Sequence, residues 1–65
     1  MVSPLKIARV QAELSQTQLA ERVATYQGRI SRIERGSLPD PDEASRIAEV
    51  LGVSSGKLFK NESGK

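Results

Sequence analysis

Apolar residues recur at three- and four-residue intervals along the chain, and nowhere do β-branched or aromatic residues alternate with polar ones as a half-buried strand requires. The pattern predicts an all-α fold. Ser3 followed by Pro4 reads as an N-cap and first helical position, and Ile7, Val10 and Leu14 then fall on one face of a first helix running to about Glu13. Ser15-Gln16-Thr17-Gln18 is a capping box: the Ser15 hydroxyl can accept from the Gln18 amide while the Gln18 side chain reaches back. Leu19, Ala20 and Val23 continue it as a short second helix, ending near Val23 or Ala24 where the apolar phase breaks. A new phase of Tyr26, Ile30 and Ile33, expected to point inward, begins after a turn of about three residues.

This third helix stops at Gly36, whose missing Cβ suits the left-handed position that follows a helix, and Arg35 in its last turn favours the negative end of the dipole. Ser37-Leu38-Pro39 is a loop. Asp40-Pro41-Asp42-Glu43 is another start signal, with Asp40 able to cap, Pro41 at the first position and carboxylates in the first turn. Ala44, Ile47, Ala48 and Leu51 line one face of the fourth helix, which Gly52 closes. Ser54 can cap a last turn or two carrying Leu58 and Phe59, and residues 61–65 read as a frayed tail. The expectation is a single domain, 1–65, of five short helices without repeats or linkers.

Size and composition narrow what such a domain can do. A chain of 65 residues buries only about 60% of the surface its unfolded form exposes. Its stability is slim, and a partner subunit would help. It has no cysteine and no histidine, so it lacks disulfides, thiolate metal sites and the commonest general base. No metal, cofactor or small-molecule ligand is expected, and no spacing suggests an activated nucleophile or paired carboxylates, so an enzyme is not expected either. No apolar run approaches the roughly 20 residues of a membrane span, and the first residues lack a signal-peptide core, which gives a cytoplasmic expectation.

Charge matters through its placement. Ten Lys and Arg against eight Asp and Glu leave a net charge of only +2. Yet Tyr26 to Gly36 carries Arg29, Arg32 and Arg35 against Glu34, whereas Leu38 to Leu51 carries Asp40, Asp42, Glu43 and Glu49 against Arg46. A basic segment beside an acidic one suits a protein that turns one face to a polyanion, and also an ordinary solvated helix face.

A capped two-turn helix, a tight turn and a second helix rich in long polar donors, together about 15–36, is the layout of a helix-turn-helix DNA-reading unit. With Tyr26, Ile30 and Ile33 inward, Gln27, Gly28, Arg29, Ser31, Arg32 and Arg35 lie on the outer arcs. Arginine can donate a bidentate pair to guanine, glutamine can pair with adenine, and serine serves either, each good pair discriminating by about 1 to 3 kcal/mol.

At these residues the sequence resembles the Cro/cI-type, lambda-repressor-like (Xre-like) helix-turn-helix family. Leu14-Ser15-Gln16, Leu19-Ala20, Gln27, Ile30-Ser31-Arg32-Ile33-Glu34-Arg35-Gly36, Pro39, Ile47-Ala48, Leu51-Gly52-Val53 and Leu58 follow the family pattern in order and spacing. The resemblance implies five helices with the DNA-reading unit in helices 2 and 3, and a homodimer on a short palindromic operator, acting as a repressor on double-stranded DNA of a bacterial or phage nucleoid. It makes Gln27, Gly28, Arg29, Ser31 and Arg32 the base-contacting positions, and Gln16, Arg35 and Ser37 phosphate contacts. Arg29 is read equally well as a phosphate-neutralising or solvated charge, and Gly28 only lets the helix approach closely. Arg9 and Glu34 match an internal salt bridge, and Val53, Leu58 and Phe59 the dimer contact, with Leu58 turned inward and Phe59 outward.

The chain departs from the pattern where the family usually carries glycine, having Glu13 before Leu14 and Ala24 in the turn. A left-handed residue at Ala24 would cost about 1 to 2 kcal/mol, so a differently built turn is expected. Tyr26 replaces a small capping residue and either packs at the core edge, the preferred reading, or places its hydroxyl on a phosphate. An alternative function on the same scaffold is a protein-interaction module that docks a protein through helix 3 or the acidic helix 4 without specific DNA binding.

Overall fold

The capping signals of the sequence become helix boundaries in three dimensions. The computed structural model describes residues 3–59 as α1 (Pro4–Gln11), α2 (Gln16–Arg22), α3 (Gln27–Glu34), α4 (Pro41–Leu51) and α5 (Ser55–Leu58), with no strand among them. The tail expected at 61–65 lies outside the described residues.

The starts of α1, α2 and α4 have their reason in side-chain chemistry. The Ser3 hydroxyl accepts from the Lys6 amide at 3.1 Å, with Pro4 at the first helical position. In the capping box of α2, the Gln18 amide donates to the Ser15 hydroxyl at 3.0 Å and the Ser15 amide to Gln18 Oε1 at 2.8 Å. At α4 it is Glu43 that reaches back, its Oε1 accepting from the Asp40 amide at 3.0 Å. Ser54 stands at the N-cap of α5, but its side chain makes no capping bond.

The helix ends share one device. After α1, the Glu13 amide donates to the Val10 carbonyl and the Leu14 amide to the Arg9 carbonyl. After α2, Ala24 and Thr25 donate to Glu21 and Ala20, and after α3, Gly36 and Ser37 donate to Ile33 and Arg32. This paired Schellman closure needs a residue at positive φ just past the helix. Gly36 supplies it without strain at φ 124°, while Glu13 and Ala24 adopt φ 62° and 64° despite their side chains. The turn between α2 and α3 is therefore built in the glycine manner, correcting the expectation that Ala24 would avoid it. Two closing amide bonds and the helix packing hold a conformation that alanine disfavours. The same closure ends α1 at Gln11, before Glu13.

Leu5, Ala8, Leu19, Ala20, Val23, Ile30, Ile33, Ile47 and Leu58 form the buried core, and Leu14, Ala48, Val50, Leu51, Val53 and Phe59 pack around it. The inward face of α1 differs from the expected one. Leu5, Ala8 and Arg9 face the core, while Ile7 and Val10 are 48% and 55% exposed and Leu14 lies past the helix end. Ile7, Val10 and Leu14 satisfy helical spacing, but so do Leu5, Ala8 and Arg9. Arg9 wins a core position because a carboxylate awaits it there.

Candidate nucleic-acid interface

α3 is placed by α2, with which it forms the most extensive helix contact of the fold, and by α1. Ile30 and Ile33 are buried and fix its rotation. Helix geometry of about 100° per residue then sets the rest. Arg35, Gly28, Ser31 and Arg32 point away from the core, Gln27 lies to one side, and Glu34 and Arg29 lie on the two flanks where α3 meets its neighbours.

On the first flank, Arg9 Nε donates to Glu34 Oε2 at 2.6 Å, Arg9 Nη1 donates to the Leu14 carbonyl at 2.8 Å, and the two side chains are only 10% and 6% exposed. The paired charges expected at Arg9 and Glu34 are thus present and internal. The carboxylate has a further partner, Gln16 Nε2, at 2.9 Å. Gln16 Oε1 in turn accepts from Gln27 Nε2. This chain runs from the interior to the first residue of α3. It fixes the Gln16 amide so that its oxygen faces Gln27, leaving Gln27 with a free Nε2 hydrogen and a free Oε1. Those two groups match the N7 acceptor and N6 donor of adenine.

On the second flank, Arg29 donates to Glu43 through Nε at 3.0 Å and Nη2 at 2.7 Å, and Nη2 also reaches the Leu38 carbonyl at 3.5 Å. The guanidinium and the Asp40 amide hold the Glu43 carboxyl at about 2, well below its ordinary 4.5, and the Arg29 pKa is raised by its hydrogen bonds to Glu43. This pair joins residues 14 apart and has no local signature in the sequence. The signal available was the cluster of acids opening α4 beside a helix rich in arginine.

The remaining positions are open. Arg32, Arg35, Ser37 and Gln27 are exposed, Ser31 is half-buried, and neither Arg32 nor Arg35 has an ion-pair partner among the described residues. Gln16, expected at a phosphate, has its amide engaged by Glu34 and Gln27. Tyr26 is 58% exposed, against the expected core-edge packing. It is the N-cap of α3, with extended φ −128° and ψ 161°, so the helical phase that buries Ile30 and Ile33 does not apply to it. Its ring lies over the first turn of α3, where a Cβ on Gly28 would come within 3.3 Å of ring carbon Cε2. Val53 and Phe59 are half-buried and Leu58 is buried in the core.

A helix-turn-helix family model matches residues 5–58 of the chain, most of its length and all five helices. No solved structure matches it. The chain belongs to the Cro/cI-type (Xre-like) helix-turn-helix family and is a DNA-binding domain of that kind, with α2 and α3 as its helix-turn-helix. No helix among the described residues is long and apolar enough to cross a membrane.

Proposed function

We propose that this Cro/cI-type domain is a sequence-specific transcriptional regulator, a cytoplasmic repressor that binds a palindromic operator as a homodimer with α3 in the major groove. The observation that carries the reading is the outer face of α3: a short helix paired on both flanks that presents Ser31, Arg32 and the remaining amide hydrogen and oxygen of Gln27. Arg32 supplies a bidentate pair for guanine and Gln27 one for adenine. Gly28 keeps the first turn slim, and Arg35 and Ser37 fall where phosphates would run, at the end of α3. Base contacts of this kind specify the site, while phosphate contacts place the protein on it.

A two-fold dimer would set two copies of α3 in successive major grooves about 34 Å apart. Val53 and Phe59, half-buried around α5, are the contact surface, with Leu58 supporting them from the core. With about three phosphates neutralised per subunit, log affinity should fall with log salt at a slope near −5 for the dimer.

The test is selection from a random duplex pool at two salt concentrations. A two-fold symmetric consensus whose affinity drops with salt supports the reading. Retention of no sequence, with binding no stronger than the roughly 10 to 100 μM of non-specific contacts, would instead favour the protein-docking module.

A further inference from the structure

Arg29 stands on the DNA-reading helix, yet its guanidinium faces another way. It has two edges carrying parallel N–H pairs, and a guanine needs one of them whole. Glu43 takes the edge made by Nε and Nη2, and the second hydrogen of Nη2 is aimed at the Leu38 carbonyl. Only Nη1 remains, so no bidentate pair with a base can form while the contact holds. The carboxylate is itself anchored, because its Oε1 also accepts the Asp40 amide at the start of α4. It cannot follow Arg29 outward without giving up that cap. The side chains are 22% and 17% exposed, so the pair lies at the rim, within reach of solvent and of an approaching phosphate backbone.

We propose that Glu43 is a specificity-determining residue: by clamping Arg29 against α4 it withholds a cation from the duplex, so that site choice rests on Gln27, Ser31 and Arg32. The inference rests on the DNA-reading assignment above. Its physical basis is that a free arginine on a long stem beside the groove finds a phosphate in any register, so it strengthens the many non-specific complexes more than the one specific complex, whose register is already fixed by its base contacts. The ratio of the two decides occupancy of a site among many competitors. Neutralising Arg29 in place removes that off-register contribution and leaves the base contacts untouched.

The experiment compares the full chain with Glu43→Gln, Arg29→Gln and the double variant, measuring fluorescence anisotropy on a random-sequence duplex and on the selected site across a salt series. Glutamine at 43 can still accept the Asp40 amide, so Glu43→Gln frees Arg29 without stripping the α4 cap, and a thermal melt checks that each variant is folded. Glu43→Gln should bind the random duplex several-fold more tightly, with a salt slope more negative by about 0.9 per subunit. The selected site should gain less than that, so the specificity ratio falls. Arg29→Gln alone leaves the Glu43 charge unpaired and should weaken both duplexes to a similar, modest extent, and in the double variant it should cancel the gain.

The proposal is overturned if Glu43→Gln leaves random-duplex affinity and slope unchanged, or strengthens both duplexes equally. It is equally overturned if Arg29→Gln weakens the selected site tenfold more than the random duplex, which would make Arg29 a reader and Glu43 its support. Should Glu43→Gln fail to fold, the Arg29→Gln result decides alone. Failure of the wild type to bind any duplex would remove the DNA-reading assignment and this inference together, an outcome distinct from both.

Discussion

The two flanks of α3 carry the same chemistry in opposite senses. On one, the helix contributes the carboxylate of Glu34 and α1 supplies Arg9; on the other, it contributes the guanidinium of Arg29 and α4 supplies Glu43. The closest approaches are nearly equal, 2.6 and 2.7 Å. Surroundings separate them. Arg9 and Glu34 are sealed under α1 and α2, with the Leu14 carbonyl and Gln16 as further partners, so neither charge has water to turn to if the other is lost. Arg29 and Glu43 sit at the rim, where water can replace either partner. Contact distance says little about what an ion pair does; the cost of leaving one member alone says much more.

The largest expected effect comes from breaking the sealed pair. Glu34→Ala should destabilise the domain by about 3 to 5 kcal/mol, because it strands the Arg9 charge in the core. For a chain of this size that is most of its stability. Urea denaturation followed by circular dichroism would show it, and a loss under about 1 kcal/mol would place this pair in the same class as the rim pair.

Next come the two strained turns, which offer a background in which the pairs can be compared. Replacing Glu13 or Ala24 by glycine relieves a left-handed side chain worth about 1 to 2 kcal/mol, against a glycine entropy cost of about 0.4 to 1 kcal/mol. Each should raise stability by about 0.5 to 1 kcal/mol, and the two should add, since they close different helices. A drop in melting temperature for Ala24→Gly would mean that the methyl group is worth more in packing than the strain it costs.

The smallest effect belongs to the rim pair. Glu43→Gln should cost less than about 1 kcal/mol, and that loss should fade at high salt while the Glu34 effect persists. The pH response has a definite sign. The Glu43 carboxyl titrates at about 2 in the fold against an ordinary 4.5, so its contribution is complete above about 4.5 and is lost as pH falls from there towards 2. Acid melts should show a shallower decline across that window in Glu43→Gln than in the wild type.

The fold was largely legible in the sequence because its boundaries are local chemistry. Ser15 with Gln18, Asp40 with Pro41, and Gly36 and Gly52 each act within a few residues, and all mark helix ends in the structure. What the sequence hid depends on neighbours distant along the chain. α1 has two apolar phases of similar quality, and only the carboxylate of Glu34, 25 residues on, decides that Arg9 and not Val10 turns inward. Tyr26 fits the phase of Ile30 and Ile33 but stands one residue outside the helix, where periodicity has no force. Ala24 was expected to avoid a left-handed turn, since a propensity ranks conformations for an isolated residue and tertiary packing overrode it. At the interface, the outward set Gln27, Ser31 and Arg32 follows from spacing alone, whereas the capture of Arg29 needs the position of α4.

The central claim is that α3 reads DNA from its outer face while its flanks only hold it in place. The most direct test pairs two readouts on one variant: the selected consensus and the thermal melt of Arg32→Ala. Arg32 is exposed and unpaired among the described residues, so the account predicts an unchanged melt and a consensus relaxed at one position in each half-site, with a loss of about 1 to 3 kcal/mol there. A uniform loss of affinity across all sequences, with the consensus intact, would contradict it and make Arg32 a phosphate contact.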